Sequence, residues 1–297
     1  MTIFLVGSGP GDDDSGMREV WDAFVASARE RARLDQTNRL VICMLGTADE
    51  TAPYLPAYLD PIRARWAEVE PVVVNLTDPD DDGSATTTWP EDVERSAGLV
   101  VCGGWTPGYL SALSPHRDEI GRMVRRDVPY LGFSAGASIA SRHALVGGWQ
   151  FRGIQVQQEI SGEGLAELTI QDGLALVTPM VQVHTDTWSN EGVVITALEH
   201  GHGQHAVSID EQTCLAVDPV TGRTARLGSG RLRWFTREHA GVLVRTEEPP
   251  SPEVPDQVEA AEPADNPETE EAGPVETPEP VITPEDDQPG SSSSDQG

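Results

Sequence analysis

One short stretch of the chain has the residue types that a nucleophilic site needs. In residues 130–140, YLGFSAGASIA, Ser134 stands between Gly132 and Gly136. An apolar run precedes the serine and small helix-forming residues follow it, so the pattern predicts a sharp turn from a strand into a helix. Glycines leave room for such a turn, and the N–H of Ala135 would face a developing oxyanion. The pattern alone leaves a small packing residue as an equal alternative.

A nucleophilic serine needs a general base, and the chain has seven histidines. His184 follows the apolar run LALVTPMVQV, which places it at the end of a strand, the same kind of position as that of Ser134. His116 and His143 lie in polar surroundings, where we expect solvated side chains. His184 is therefore the predicted base, and a histidine that only bonds within its own turn is the alternative.

Two further glycines could supply hydrogen-bond donors to the same chemistry. Gly103 and Gly104, in VVCGGWTPGYL, end another apolar run directly before the start of a helix. Glycine at such a position lets a peptide N–H approach a substrate carbonyl closely. A tight strand-to-helix turn without a role in catalysis is the alternative.

Neither a metal nor another cofactor is expected. His200, His202 and His205 are close together in EHGHGQH, but the glycines make this stretch flexible and no acidic or thiol ligand completes a metal-binding spacing. The glycine-rich stretch at 7–16 has no Lys-Ser/Thr pair and carries three adjacent aspartates, which would repel a phosphate.

The elements that must position these residues can be predicted from the apolar pattern. Five short runs are apolar on both faces, as is typical of parallel strands covered by helices. They are TIFLVG (2–7), RLVICMLG (39–46), PVVVNLT (71–77), GLVVCGG (98–104) and VPYLGFS (128–134). Helix-period stretches alternate with them, so we expect an α/β fold with a mainly parallel sheet and helices on both faces. Beyond residue 145, short runs separated by turn residues predict an added antiparallel C-terminal portion.

Composition limits the classes of function. Residues 247–297 hold 16 of the 49 acidic residues and no Lys, Arg or aromatic residue, which predicts a disordered acidic tail after a folded domain at 1–246. A net charge of −29 without a basic stripe argues against a nucleic-acid partner. No apolar segment is long enough to cross a membrane and the start lacks signal-peptide features, so we expect a cytoplasmic protein. The three separated cysteines are expected to be reduced core residues.

Four blocks of the sequence, in order, resemble the serine peptidases of the dipeptidase E and cyanophycinase group. The blocks are VVCGGWTPGYLSAL, YLGFSAGASIASRHALVGG, GLALVTPMVQVH and AVSIDEQTCLAV. The resemblance implies a type 1 glutamine amidotransferase-like α/β fold and a serine peptidase. It also implies that Ser134 is the nucleophile, that His184 is the base, and that Gly103, Gly104 and Ala135 form the oxyanion hole.

The chain departs from that group in two places. The group usually has an Asp or Glu about fifteen to twenty residues after the serine, where this chain reads WQFRG. We therefore choose Glu159 as the carboxylate that orients His184, with Glu163 and Glu167 as alternatives. The second departure is TDTWSNEGVVITAL, after the histidine, which lacks the arginine that many relatives carry there and so weakens the case for an acidic substrate.

The sequence thus predicts a serine hydrolase that cleaves a peptide or amide bond in a small peptide-like substrate through an acyl-enzyme. A catalytically silent relative that uses the same cleft for binding is the alternative. An esterase of the α/β-hydrolase type is less well supported, because the chain has no HGGG-type oxyanion loop. The sequence leaves the oligomeric state open, including a homodimer.

Overall fold

The protein is represented by a computed structural model that describes residues 2–77 and 87–250. The predicted acidic tail at 247–297 lies outside the described residues from residue 251 onward. The described residues belong to one compact unit, and none of their helices is both long and apolar enough to cross a membrane.

Strands and helices alternate through the first half of the chain, and strands dominate the second half. The described strands are β1 (Ile3–Val6), β2 (Arg39–Leu45), β3 (Glu70–Leu76), β4 (Gly98–Val101), β5 (Tyr130–Phe133), β6 (His143–Gly147), β7 (Gln150–Phe151), β8 (Ile154–Gln155), β9 (Thr169–Asp172), β10 (Met180–Gln182), β11 (His205–Ile209), β12 (Thr213–Val217), β13 (Thr224–Gly228), β14 (Leu232–Glu238) and β15 (Gly241–Glu247). The described α-helices are α1 (Arg18–Asp35), α2 (Ala48–Thr51), α3 (Leu55–Arg65), α4 (Thr106–Leu113), α5 (Arg117–Arg125), α6 (Ala135–Ser138), α7 (Thr185–Trp188) and α8 (Glu191–Glu199).

A seven-stranded sheet forms the centre of the fold, in the order β13-β12-β1-β5-β4-β2-β3. The five predicted apolar runs form β1 to β5, and every pairing among them is parallel. Strands β12 and β13 extend the sheet beyond β1 as antiparallel strands. The predicted fold class, a mainly parallel α/β sheet with an antiparallel C-terminal addition, is therefore confirmed.

Helices cover the central sheet because its strand order turns back on itself. The chain runs outward from β1 to β2 and β3 and then returns through β4 to β5. Right-handed crossovers, the rule for parallel strands, then place α1 and α3 on one face and α4 and α5 on the other. Helix α1 contacts α3, and α4 contacts α6. The crossover that leaves β1 and the one that enters β5 lie on opposite faces of the sheet. The carboxyl ends of these two neighbouring strands therefore form the place where a ligand site is expected.

A second sheet, in the order β10-β11-β14-β15, carries part of the C-terminal half. Strand β10 pairs in parallel with β11, and the other pairings are antiparallel. The two sheets are linked covalently by the turn of residues 210–212, which joins β11 to β12. Residues on this turn are therefore held between the end of β1 and the second sheet.

The core is built from the apolar residues that the sequence pattern selects. Phe133, at the end of β5, packs against Trp21 of α1 and Tyr58 of α3, with ring centroids 5.4 and 5.2 Å away. The aromatic contacts fix the end of β5 from the helix layer above it. All three cysteines are buried and unpaired, as predicted, and burial raises the pKa of each thiol.

Candidate active site

Ser134 occupies the sharp strand-to-helix turn that the sequence predicts. It follows β5 directly and precedes α6, with φ 48° and ψ −107°. A positive φ is strained for a residue other than glycine, so the surroundings must hold it. The Ser134 N–H donates to the carbonyl of Val6 over 3.0 Å. A Cβ on Gly132 would lie 2.5 Å from the Gly136 carbonyl oxygen, which explains the glycine before the serine.

His184 contacts Ser134 at the carboxyl ends of β1 and β5. The residue lies two positions after β10, and its N–H donates to the Gly7 carbonyl at the end of β1 over 2.9 Å. Its Nε2 is 2.7 Å from the Ser134 Oγ. The ring of Trp188 packs against the imidazole with centroids 4.4 Å apart, and only 14% of the His184 side chain is exposed. The structure thus brings together the two residues predicted as nucleophile and base, 50 positions apart in the chain.

The carboxylate beside His184 is Glu211 and not Glu159. Glu211 Oε1 lies 2.6 Å from His184 Nδ1, on the side of the ring opposite to the serine. The N–H of Glu211 donates to Asp186 Oδ1 over 2.8 Å, which holds the turn against α7. Glu159 lies in an exposed turn between β8 and β9, so its prediction as the partner of the imidazole is wrong.

The two reserve carboxylates also make other contacts. Glu167 Oε2 accepts the N–H of Arg152 over 2.9 Å. The carboxylate of Glu163 accepts from the N–H and the hydroxyl of Thr106, at 3.3 and 3.0 Å, at the start of α4. Burial raises the pKa of Glu163, although the bonds from Thr106 and the nearby His184 act to lower it.

Glu211 was missed because the family pattern points to the segment between the serine and the histidine. A signal for it exists in the sequence: it stands two residues after the apolar run AVSI, at a strand end like those of Ser134 and His184. That signal becomes specific only when β12 is known to pair with β1, which brings the turn of residues 210–212 to the end of β1.

The predicted oxyanion donors differ from one another in their contacts. The N–H of Gly103 already donates to the hydroxyl of Tyr58 over 3.2 Å. Gly104 has φ 151° and lies against the ring of Tyr109, where a Cβ would be 3.1 Å from the nearest ring carbon. Within the described residues, the N–H groups of Gly104 and Ala135 donate to no acceptor. Gly103 therefore does not have a free donor in this structure, whereas Gly104 and Ala135 do.

A buried ion-pair cluster supports the turn that carries Glu211. Asp210 is 2% exposed, and its carboxylate accepts from Arg231 Nε at 3.0 Å and Arg233 Nη1 at 2.6 Å. Burial acts to raise the pKa of Asp210, but the two arginines outweigh it and hold the pKa below its usual value. The backbone position of Glu211 is thus anchored by its neighbour in sequence.

The histidines of EHGHGQH do not form a cluster with acidic or thiol side chains. His200 and His202 lie between α8 and β11, His205 is the first residue of β11, and all three are exposed. In the ranges that the structure describes, no three His, Cys, Asp or Glu side chains are grouped to hold a metal ion.

Comparisons with known proteins establish the fold of the chain. No model of a protein family matches it, and no curated protein is significantly similar to it in sequence. Among solved structures, it is similar to a peptidase from an acI-B1 Actinobacterium, at 14% identity and a TM-score of 0.57, over 83% of this chain and 93% of that chain. A protein from Listeria monocytogenes EGD-e that is named a peptidase E matches at 14% identity and a TM-score of 0.38, over 83% of this chain and 98% of that chain. The first likeness shows that the chain has the fold of that peptidase, as the sequence resemblance implied.

Proposed function

We propose that the protein is a serine-type hydrolase that cleaves a peptide or amide bond in a small peptide-like substrate. The observation that carries this proposal is the continuous chain of contacts from Ser134 Oγ through His184 to Glu211, at 2.7 and 2.6 Å. A hydroxyl, an imidazole and a carboxylate in this order form the arrangement of a serine nucleophile with its base and the group that orients the base.

The geometry supports one assignment of roles. The Ser134 Oγ attacks the substrate carbonyl while His184 Nε2 takes its proton, and the imidazolium that forms is stabilised by the Glu211 carboxylate at Nδ1. The N–H groups of Ala135 and Gly104 donate to the tetrahedral oxyanion. The imidazolium then gives its proton to the leaving amine, which leaves an acyl-enzyme on Ser134. Water, activated by the neutral imidazole, hydrolyses this ester and restores the serine.

The choice of a peptide bond rests on two likenesses. The four sequence blocks resemble those of the dipeptidase E and cyanophycinase group, and a solved structure with the same fold is that of a peptidase. Both point to an amide leaving group, which needs protonation by His184 as it departs. An ester substrate would need that protonation less.

A fluorophosphonate probe tests the nucleophile directly. The wild-type protein is incubated with the probe and examined by intact-mass and peptide-mapping mass spectrometry, with Ser134→Ala as the control. We expect one adduct on Ser134 in the wild type and none in the variant, because only a serine activated by a base reacts with such a probe. A wild-type protein without an adduct would favour the silent binding protein instead.

A further inference from the structure

A small polar cavity adjoins the candidate active site. Its volume is about 30 Å³, which is room for about two water molecules. Three segments of the site contribute to its wall: Thr106 follows Gly104 by two positions, Ser138 lies one helical turn after Ser134, and Val183 precedes His184. A substrate group in this cavity would therefore be attached close to the bond that Ser134 attacks.

Glu163 gives the cavity its charge. It is the one charged side chain among the described residues that line the cavity, and no Lys or Arg described in the structure lies within ion-pair distance of it. Its two bonds from Thr106 use part of its capacity, since a carboxylate offers about four acceptor sites. Glu163 is also partly exposed, so the cavity can be reached from solvent.

Gln157 adds an unused acceptor to the same wall. The residue is 7% exposed, and its Nε2 donates to the carbonyls of Gly148 and Ser161 at 2.6 and 3.3 Å. These two carbonyls fix the orientation of the amide, because the reverse orientation would place the Gln157 oxygen against both of them. The Oε1 of Gln157 has no hydrogen-bond partner within the described part of the chain. A buried acceptor in this state favours a ligand that brings donors.

We propose that this cavity is a subsite that binds a primary ammonium group of the substrate. An ammonium group is close to water in size, carries a charge opposite to that of Glu163, and has three donors for the surrounding acceptors. A guanidinium group is planar and larger, and it exceeds the space for two waters. The proposal deepens the proposed function, on which its catalytic consequences rest. It applies equally to the amino terminus of a peptide and to a lysine side chain.

The negative charge of Glu163 also disfavours a substrate carboxylate in this cavity. This agrees with the stretch TDTWSNEGVVITAL, which has no basic residue to pair with one. The site therefore combines an acidic side chain in the cavity wall with a following segment that offers no cation for a carboxylate. The charge of Glu163 therefore favours a cationic group over an anionic one in this cavity.

Paired peptide probes test the subsite. An equimolar dipeptide library is offered in two forms, with free and with N-acetylated amino termini, and its lysine members are compared with ε-acetyl-lysine members. Initial rates are measured by mass spectrometry for the wild type, for Glu163→Gln and for Glu159→Gln. The last is a matched control, because Glu159 lies on the same segment but is exposed and outside the cavity.

For one of the two ammonium sources, we expect the wild type and Glu159→Gln to cleave the free-amine probe with a kcat/KM at least about 10-fold higher than that of the acetylated probe. Glu163→Gln keeps the side-chain shape and an acceptor for Thr106 but removes the charge, so the preference should fall by about 10-fold. If Glu163→Gln loses the preference for a free amino terminus, the amino terminus occupies the cavity. If it loses the preference for unmodified lysine, the lysine side chain does. A variant with native thermal unfolding excludes misfolding as the cause.

The subsite and the proposed function fail in different ways. If Ser134 reacts with the fluorophosphonate but neither ammonium source is preferred, or if Glu163→Gln slows all probes alike, the ammonium subsite is wrong and the cavity holds water only. Binding of the same probes to Ser134→Ala is measured by calorimetry. The measurement is repeated with the double variant Ser134→Ala, Glu163→Gln. If the double variant binds the free-amine probes more weakly, while the wild type neither reacts with the fluorophosphonate nor cleaves a probe, the subsite stands and the hydrolase assignment is wrong.

Discussion

Two acidic side chains near the candidate active site, Asp210 and Glu163, have opposite surroundings in the fold. Asp210 is almost completely buried, accepts bonds from Arg231 and Arg233, and has a lowered pKa. Glu163 is partly buried, has only the neutral donors of Thr106, and has a raised pKa because burial penalises its charge. Asp210 is thus paired with two arginines, whereas Glu163 has no Lys or Arg partner among the described residues and only His184 nearby.

The difference separates two uses of a buried charge. A carboxylate that is paired on both oxygens fixes the backbone around it, and Asp210 fixes the turn that carries Glu211. A partly buried carboxylate without a Lys or Arg partner raises the free energy of the folded protein, and such groups are common at sites that bind a ligand. The position of a charge in the fold therefore says less about its role than the presence of its counter-charge.

The largest effect should come from Glu211, next to the structural aspartate. In Glu211→Gln the amide can donate to His184 Nδ1 and so favour the tautomer that cannot accept the proton of Ser134. We expect kcat/KM to fall by about 10⁴-fold, while the free energy of unfolding changes by less than about 1 kcal/mol. Kinetics and urea unfolding measure the two quantities. A loss of activity below 10-fold, similar to that of Glu159→Gln, would contradict the assignment of Glu211.

A large effect on stability should come from Asp210. Asp210→Ala removes the buried partner of Arg231, whose side chain is 41% exposed, and of Arg233, which keeps Glu191 at 3.4 Å. We therefore expect the free energy of unfolding to fall by about 2 kcal/mol. Activity should fall as well, because the turn that holds Glu211 loses its anchor. Equilibrium urea unfolding measures the change. A loss smaller than that of a typical surface substitution would mean that Asp210 is not a structural carboxylate, and the contrast with Glu163 would disappear.

The smallest effect, and the one with the clearest sign, concerns pH. The folded pKa of Asp210 is below its usual 3.8, so its stabilising contribution is present above that value and is lost as pH falls through the lowered pKa. The folded pKa of Glu163 is above its usual 4.5, so its charge destabilises the fold near neutral pH, and this cost is relieved as pH falls through the raised pKa.

Glu163→Gln should therefore be as stable as the wild type or slightly more stable at pH 7, and this advantage should vanish as pH falls towards 4.5. Asp210→Ala should show the reverse, a deficit at pH 7 that narrows only below about pH 4. Thermal unfolding across this range measures both. A Glu163→Gln protein that is clearly less stable at pH 7 would mean that its carboxylate is satisfied in a way that the observed contacts do not provide.

The parallel sheet could be predicted from sequence because its strands are buried on both faces. Runs such as RLVICMLG leave few other ways to hide so much apolar surface. Ser134 and His184 followed from the same pattern, since each comes directly after such a run and the ends of buried strands meet at one edge. The place of each residue at the end of a strand could be predicted from the residues next to it in the sequence. Their contact then required only that the carboxyl ends of these strands lie close together.

Glu211 and the oxyanion donors depend on contacts between distant segments. The position of Glu211 follows from the antiparallel pairing of β12 with β1, in which Val6 lies opposite Cys214, and no local pattern encodes that register. The engagement of the Gly103 N–H depends on Tyr58, which reaches it from α3. The prediction of Glu159 is wrong because it depends on the distance in sequence from Ser134, whereas the pairing of β12 with β1 decides which carboxylate lies beside His184.

Gly7 helps to set the geometry around His184 without contacting its imidazole ring. Its carbonyl receives the N–H of His184, and a methyl group on its Cα would lie 2.3 Å from the carbonyl oxygen of Asp210. The end of β1 thus serves as a spacer between the imidazole and the turn that bears its carboxylate. Any bulkier residue at position 7 would widen this gap, so the close approach of His184 to Glu211 depends on the absence of one carbon atom.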